Sequence, residues 1–301
     1  MGNPLQALGS VLPTQHGVSA SSVITPAGAW GTVLEFLAAH FSEISLEAWR
    51  SRMQRGRVLD ETGRPLNPDS VFISGARIHY YRELATEIVI PFEAEVLHQD
   101  DHLLVADKPH FLPVMPSGRF LQQTLLVRLK NQTGLADLVP LHRIDRGTAG
   151  VVLLSVNPTT RAAYQSLFAT REMNKVYEAL APHLDLEFPL TRRSLVVKGE
   201  PFFRMRETDG TPNTETHIEI AERHGELSLY RLRPVTGKQH QLRVHMAALG
   251  AAIVNDPWYP TLRTEADDDF SRPLQLLARS IGFTDPLSGQ PREFSSRRVL
   301  V

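Results

Sequence analysis

One carboxylate of this chain stands between two guanidinium groups in a turn of small residues. Residues 141–150 read LHRIDRGTAG and lead directly into an apolar segment, with Asp145 flanked by Arg143 and Arg146. Because an opposite charge within about 4–6 Å favours the ionised form of a carboxylate, we expect Asp145 to be charged at neutral pH. Such a carboxylate can act as a nucleophile or a base, and the arginines could attract a polyanion. A salt-bridged surface loop is the alternative interpretation.

This turn is one of several segments that resemble a single family. In order along the chain, the segments are residues 107–109 (DKP), 142–150 (HRIDRGTAG), 175–177 (KVY), 233–245 (RPVTGKQHQLRVH) and 253–259 (IVNDPWY). The second, third and fourth resemble the HRxDxxT(S/A)G, K-x-Y and P-x-TG(R/K)xHQ(L/I)RVH signatures of the RluA family of RNA pseudouridine synthases. The resemblance covers roughly residues 90–300. Three motifs in the same order make it specific.

The resemblance implies an isomerase that breaks the N1–C1′ bond of uridine, rotates the uracil and joins C5 to C1′. This reaction has no redox step and no net hydrolysis, so we predict no cofactor. By its position in the motif, Asp145 would be the catalytic aspartate; whether it attacks the sugar or the base, or drives a glycal route, stays open. Tyr177 would stack on or near the target base and could transfer a proton, unless it is a half-buried strand tyrosine. Arg243 would pair with Asp145, unless it is an exposed helical arginine.

The resemblance also indicates how the chain would engage RNA. A uridine inside a helix must be flipped out before it can react, and Arg143 would occupy the space that it leaves. Further cations are candidates for RNA contact: Arg146, Lys108, Arg119, Lys175 and Lys238 in the catalytic region, and Arg50, Arg52, Arg55 and Arg57 nearer the N-terminus. The alternative for the last four is an ordinary solvated helix face.

Histidines raise the question of a metal site. His142, His240 and His245 lie within the matched motifs, but the spacing of the last two is poor for one helix face and the chain has no cysteine. We interpret them as structural hydrogen-bonding residues and predict no metal. The absence of cysteine also excludes disulfides and a thiol nucleophile.

The chain departs from the family pattern at a few positions, and other functions have to be weighed. Lys238 stands where many members have arginine, and Leu277 and Asp285 replace two histidines of a C-terminal block, which leaves the subfamily and its RNA open.

A catalytically idle RNA-binding protein with the same fold is one alternative function. A hydrolase of glycosidic bonds is another, but it normally needs two suitably spaced carboxylates. Asp256 is the next candidate for the second carboxylate, but its loop context indicates a structural role.

Composition is that of an ordinary globular protein. The 301 residues are 42% hydrophobic and 22% charged, with a net charge of −1. That charge is unusual for an RNA enzyme. However, the basic residues are mostly arginine, which suits phosphate, and an acidic run at residues 265–269 could mask a basic cleft. No apolar run is long enough to span a membrane, so we expect a cytoplasmic protein. The family resemblance and the absence of an obvious assembly motif predict a monomer.

Pattern and composition divide the chain into three parts. Residues 1–27 are rich in Gly, Ser, Pro and Thr and are predicted to form a flexible arm. Residues 28–85 resemble a small α+β RNA-binding module, with helices near residues 30–37 and 46–55. Residues 90–301 would form the catalytic domain, in which strands dominate, helices are few and no βαβ repeat occurs. This favours an α+β fold over a doubly wound one, and the family fold is a mixed, largely antiparallel sheet with a central cleft and flanking helices. Residues 181–226 match no motif and could carry substrate recognition.

Overall fold

The computed structural model describes residues 12, 14–84, 86–263 and 269–300. Five helices are present in this part of the chain: α1 Val33–His40, α2 Leu46–Gln54, α3 Leu125–Thr133, α4 Arg161–Ala169 and α5 Gln241–Ala248. The first strands are β1 Ser21–Ile24, β2 Val58–Leu59, β3 Arg77–Tyr80, β4 Glu95–Gln99, β5 Leu103–Lys108, β6 Val139–Pro140 and β7 Ala149–Ser155. The remaining strands are β8 Asn174–Pro182, β9 Leu190–Lys198, β10 Met205–Thr208, β11 Thr214–His224, β12 Leu227–Pro234, β13 Leu276–Thr284 and β14 Pro291–Ser295.

The N-terminal part forms a small three-stranded sheet, in the order β1-β3-β2, covered by α1 and α2. Thr32 and Glu35 form a capping box that fixes the start of α1, and Phe36 and Trp49 are fully buried between helices and sheet. Strand β1 falls within residues 1–27, where the sequence predicted an arm without regular structure. That prediction is wrong for residues 21–24, because their backbone pairs with β3; residues 1–11 and 13 lie outside the described part.

The C-terminal part is built on one eleven-stranded sheet. Its strand order is β10-β9-β11-β12-β8-β13-β7-β5-β4, with β14 paired to β13 and β6 paired to β7. Every pairing in it is antiparallel except that of β13 with β7. A mostly antiparallel sheet with a few helices confirms the predicted α+β fold class.

Strand β7 is an interior strand of this sheet, between β13 and β5, and all seven of its residues are buried. Val152 and Leu154 pack in the core cluster that contains α3, whereas Val151 and Leu153 pack in the cluster that contains α4. Burial on both faces explains why this strand is apolar throughout. Helix α5 covers the other half of the sheet, where its Leu242 and Met246 pack against residues of β8 and β12.

One row of residues across three strands fixes where β7 and β8 lie relative to each other. Gly150 of β7 pairs with Ala278 of β13, and Ala278 pairs with Tyr177 of β8. Gly150 has a φ of +112°, and a Cβ there would lie 2.2 Å from the Ala278 carbonyl oxygen. Glycine is therefore required for the close approach of β7 and β13. This row places Tyr177 two strands from the turn that contains Asp145.

Apolar positions at helical spacing in the sequence predict helices near residues 124–130, 158–171 and 239–249, and these correspond to α3, α4 and α5. The apolar run at residues 88–91 predicts a short strand, but the structure has none there. The Ile90 backbone instead bonds to the side chains of Gln123 and Arg128. Residues 181–226 contain β9, β10 and β11. The acidic run lies outside the described residues except for Asp269, and no helix in the described part could cross a membrane.

Candidate active site

Asp145 lies in the turn before β7, on the wall shared by two neighbouring cavities. The turn is closed by a hydrogen bond from the Thr148 amide to the Asp145 carbonyl oxygen, 3.1 Å. One cavity has a volume of about 350 Å³ and is also lined by Lys175 and Tyr177. The other has a volume of about 530 Å³ and is also lined by Trp258. The Asp145 side chain is 24% exposed, so a molecule in either cavity could contact it.

Arg243 projects from α5 towards this carboxylate. Its Nη1 donates a hydrogen bond of 3.2 Å to Asp145, while Nε and Nη2 each donate one of 2.7 Å to Asp256. The guanidinium also lies 4.9 Å from the centre of the Trp258 ring. Burial opposes the charge of Arg243, but the hydrogen bonds and charges of Asp256 and Asp145 outweigh it and raise the pKa of Arg243. Arg243 is thus a permanently charged group held between two carboxylates.

Asp256 is the residue that sequence reasoning undervalued. It is 1% exposed, and besides Arg243 it accepts hydrogen bonds from the backbone amides of Trp258 and Tyr259 at 2.8 and 3.1 Å. Its loop context was interpreted as structural, yet its main partner is the arginine that reaches Asp145. Its position within the 253–259 motif was the available signal.

Tyr177 and Lys175 line the smaller cavity from β8. Tyr177 packs against both large core clusters, so its ring is held between the two halves of the sheet. Burial and the charge of Asp145 raise the pKa of Tyr177, which keeps its hydroxyl protonated at physiological pH. Burial and the neighbouring Arg171 lower the pKa of Lys175. The cavity therefore offers an aromatic ring with a hydroxyl donor beside a carboxylate.

The three motif histidines make hydrogen bonds to protein groups. His240, with a φ of +55°, lies at the start of α5; its Nδ1 is 2.9 Å from the Tyr259 hydroxyl and its Nε2 is 3.8 Å from an Asp145 oxygen. His142 accepts a hydrogen bond from the Leu153 amide. The fully buried His245 contacts the hydroxyl groups of Ser194, Thr214 and Thr216. These contacts agree with the structural role that the sequence predicted.

Several of the predicted RNA-contacting cations surround the two cavities. Arg143 lines both of them, and Arg143, Arg119 and Lys238 are exposed. Arg146 is half-buried; its Nε donates to the Phe111 carbonyl oxygen, and its guanidinium lies 4.7 Å from the centre of the Phe120 ring. Together with Lys175, five of the predicted cations thus line the two cavities that share Asp145.

Lys108 does not belong to this group, and its prediction as a phosphate contact is wrong. The side chain is fully buried at the end of β5. Its ammonium donates to the carbonyl oxygens of Pro109, Leu112 and Arg146 at 3.0, 2.7 and 3.2 Å. Burial lowers the pKa of Lys108 well below its usual value. These hydrogen bonds join the turn that contains Asp145 to the loop after β5. The buried ammonium therefore cannot reach a phosphate.

The N-terminal arginines do not present the predicted common basic face. Arg52, Arg55 and Arg57 all converge on the carboxylate of Glu83, at 3.5, 2.9 and 3.6 Å. Arg52 is only 7% exposed and lies over the Trp49 ring, so its prediction as an RNA contact is wrong. A separate ion pair of 3.5 Å joins Arg50 to Glu47. The ion pairs of Arg52, Arg55 and Arg57 join α2 and the residues after it to the segment that follows β3.

Known proteins share this fold. The human RNA pseudouridylate synthase domain containing 1 superposes with a TM-score of 0.58 at 21% identity, covering 71% of this chain and 86% of the human one. The human RNA pseudouridylate synthase domain containing 4 gives a TM-score of 0.53 at 24% identity, covering 68% and 88%. The fold is therefore that of the pseudouridine synthases.

Sequence comparison narrows the class to a family. Residues 102–248 match the RNA pseudouridylate synthase family. The dual-specificity RNA pseudouridine synthase RluA of Vibrio parahaemolyticus is 31% identical, over 64% of this chain and 79% of that protein. RNA pseudouridine synthase 5 of Arabidopsis thaliana is 27% identical, over 84% and 82%. The chain belongs to the RluA family of RNA pseudouridine synthases, and it is an isomerase that acts on uridines in RNA.

Proposed function

We propose that Asp145 is the catalytic carboxylate and that the target uridine binds in the cavity it shares with Tyr177. The observation that carries this proposal is the contact of Asp145 with Arg243, because it joins a partly exposed carboxylate to a buried, permanently charged group. Such an arrangement orients the carboxylate for use as a nucleophile or base while the side chain stays partly exposed to the cavities.

The reaction needs little else from the protein. The N1–C1′ bond breaks, the uracil rotates within the cavity, the C5–C1′ bond forms, and the proton on C5 leaves to solvent while N1 gains one. Asp145 would act on the sugar or the base during bond cleavage. Tyr177 would stack on the uracil, and its protonated hydroxyl could donate a hydrogen bond to the base as it turns.

We further propose that the substrate is a uridine in structured RNA, in large-subunit rRNA or in tRNA. A uridine inside a helix has to leave the stack to reach Asp145. Arg143 is exposed on the rim of both cavities, where it could fill the vacated space. The dual specificity in the name of the Vibrio relative supports more than one kind of RNA.

The decisive experiment measures release of tritium from RNA labelled with [5-³H]uridine, because the reaction replaces the C5–H bond. Total RNA from cells that lack the gene is the substrate. We expect turnover by the wild-type chain and none by Asp145→Asn, which should still bind RNA. Asp101→Asn is a control that changes an exposed aspartate outside both cavities.

Mapping of the tritium-releasing positions by carbodiimide-induced reverse-transcription stops would then identify the RNA. Stops at defined sites in rRNA or tRNA are the expected outcome. Substantial release of tritium by Asp145→Asn would refute the catalytic assignment. Stops confined to other RNAs would refute the proposed substrate while leaving the catalytic assignment intact.

A further inference from the structure

The turn between β9 and β10 holds an aromatic ring in solvent. Phe202 is 85% exposed, the highest value among the large apolar side chains of the described residues. The turn around it is closed by hydrogen bonds from the Gly199 amide to the Arg204 carbonyl oxygen, 2.9 Å, and from the Arg204 amide to the Pro201 carbonyl oxygen, 2.8 Å. Phe202 is therefore displayed by an ordered turn, and an exposed ring of this size needs an explanation.

Hydrogen bonds join this turn to the loop that contributes Asp256 to the candidate active site. Arg204 donates a hydrogen bond of 2.8 Å to the Pro260 carbonyl oxygen, and its guanidinium lies 5.1 Å from the centre of the Tyr259 ring. The Met205 amide donates to the Tyr259 hydroxyl at 2.7 Å. Tyr259 belongs to the loop that also holds Asp256. The position of the Phe202 turn is thus set by the same loop that holds Asp256, the buried partner of Arg243.

A continuous series of aromatic rings leads from Phe202 to Asp145. Ring centres are 5.6 Å apart between Phe202 and Phe203, 5.0 Å between Phe203 and Trp258, and 5.1 Å between Trp258 and His240. His240 in turn lies 3.8 Å from an Asp145 oxygen. The exposed ring is therefore only a few side chains from the reacting position, a distance that a short single-stranded stretch of RNA can span.

The charges around the turn favour a polyanion. Lys198, at the end of β9, and Arg206, in β10, are exposed, one on each face of the hairpin, because Lys198 pairs with Met205 and Arg206 with Val197. Glu200 is the opposing charge within the turn itself. An exposed aromatic ring with cations close by suits single-stranded nucleic acid, because every base has a face that can stack and the backbone is anionic.

We propose that Phe202 stacks on an unpaired base of the substrate RNA, a few nucleotides from the target uridine, and so helps to select the RNA. The proposal rests on the proposed function only in that Asp145 marks where the target uridine lies. It gives a role to part of residues 181–226, the segment that matches no motif. It also predicts that the contact depends on the ring and not on apolar character alone.

Binding to single-stranded RNA tests this directly in the full-length chain. The probe is an oligouridylate of about 12 nucleotides, within the length that stacking platforms cover, with 2-aminopurine at successive positions. Stacking of the ring on 2-aminopurine should quench its fluorescence at one or two positions. Phe202→Leu should lose this quenching and weaken binding about tenfold, whereas Phe202→Trp should keep both within about twofold. Leu287→Ala, at another exposed turn, is the control and should change neither.

Turnover provides a second readout. On tritiated total RNA, Phe202→Leu should raise KM with kcat nearly unchanged, because stacking away from the reacting atoms affects binding and not chemistry. Unchanged binding and quenching in Phe202→Leu would overturn the proposal. Self-association that Phe202→Leu abolishes, with RNA affinity unchanged, would also overturn it and assign the ring to contact between copies. Because the binding assay needs no catalysis, failure of the Asp145 assignment would leave this result standing.

Discussion

Arg243 and Asp256 form a buried bidentate ion pair, with two nitrogens of the guanidinium each 2.7 Å from a carboxylate oxygen. The pair leaves one nitrogen, Nη1, directed at Asp145. Because bidentate geometry fixes the plane of a guanidinium, Asp256 determines where that third nitrogen lies. Asp256 thus acts on Asp145 through Arg243, as a positioning residue.

Replacing Asp256 should therefore destabilise the fold more than replacing Asp145. Asp256→Ala leaves a buried guanidinium without its main partner, which we expect to reduce the free energy of unfolding by about 3–5 kcal/mol. Asp145→Ala should cost much less, because Arg243 keeps Asp256 and Asp145 is partly exposed. Urea unfolding of the two variants measures the difference. Equal losses of stability would contradict this prediction, because they would mean that Arg243 depends on both carboxylates to the same extent.

Replacing Tyr177 should separate stacking from proton transfer. Tyr177→Phe keeps the ring, so if stacking is its main role kcat/KM on tritiated RNA should fall less than about tenfold, the difference expected for a single hydrogen bond. Tyr177→Leu should be far less active. Because the pKa of Tyr177 is raised, ionisation of its hydroxyl should not appear in the pH profile of the wild-type chain below pH 10. A profile that loses a basic limb in Tyr177→Phe would contradict this.

The sequence predicted the groups that meet at the site but not how they are held. Asp145, Tyr177 and Arg243 come from three separate motifs, and their order was enough to identify the family. Asp256 could not be ranked, because its importance depends on which arginine a loop brings to it. Lys108 was misjudged for a similar reason. A lysine at the end of a strand is ordinarily exposed, and only the fold brings three carbonyl oxygens around its ammonium.

The N-terminal part shows the same limit. Its two helices follow from apolar spacing, but strand β1 does not, because four residues without strong alternation become a strand only when β3 is beside them. Arg50 and Arg52 lie on α2, as the sequence predicted, and Arg55 and Arg57 follow its end. The convergence of Arg52, Arg55 and Arg57 on Glu83 depends on the path of the chain after β3. The backbone just before β1 also packs on α3 through Val18, so removal of residues 1–85 would uncover Leu121 and would not isolate an RNA-binding effect.

His245 should make the protein less stable in acid. Burial lowers its pKa to about 4, below the value of 6.5 in the unfolded chain, so folding favours the neutral ring. The stabilisation is fully present above pH 6.5 and is lost as the pH falls towards 4. For this one group, the loss at pH 5 should be about 2 kcal/mol relative to pH 7.5.

Urea midpoints of the wild type and His245→Asn at those two pH values provide the measurement. The variant should be less stable at pH 7.5, because its hydrogen bonds to three hydroxyl groups are altered, but its stability should fall less on acidification. His224→Asn, the same substitution at an exposed histidine of β11, is the matched control. Parallel pH dependences of wild type and His245→Asn would contradict the assignment.

Arg143 should contribute more to kcat/KM on a structured RNA than on an unstructured one. In a hairpin the target uridine has to leave the stack, and the proposed insertion of Arg143 would offset part of that cost of a few kcal/mol. Arg143→Ala should therefore lower kcat/KM on a structured RNA by about 10- to 100-fold but have a smaller effect on an unstructured oligonucleotide of the same sequence. Lys238→Ala, which removes an exposed cation from the rim of the smaller cavity, should lower the affinity for both RNAs to a similar extent, because a phosphate contact does not depend on base pairing. Equal losses on both RNAs for Arg143→Ala would assign that arginine to the phosphates as well, and the flipped state would then have to be stabilised by the cavity alone.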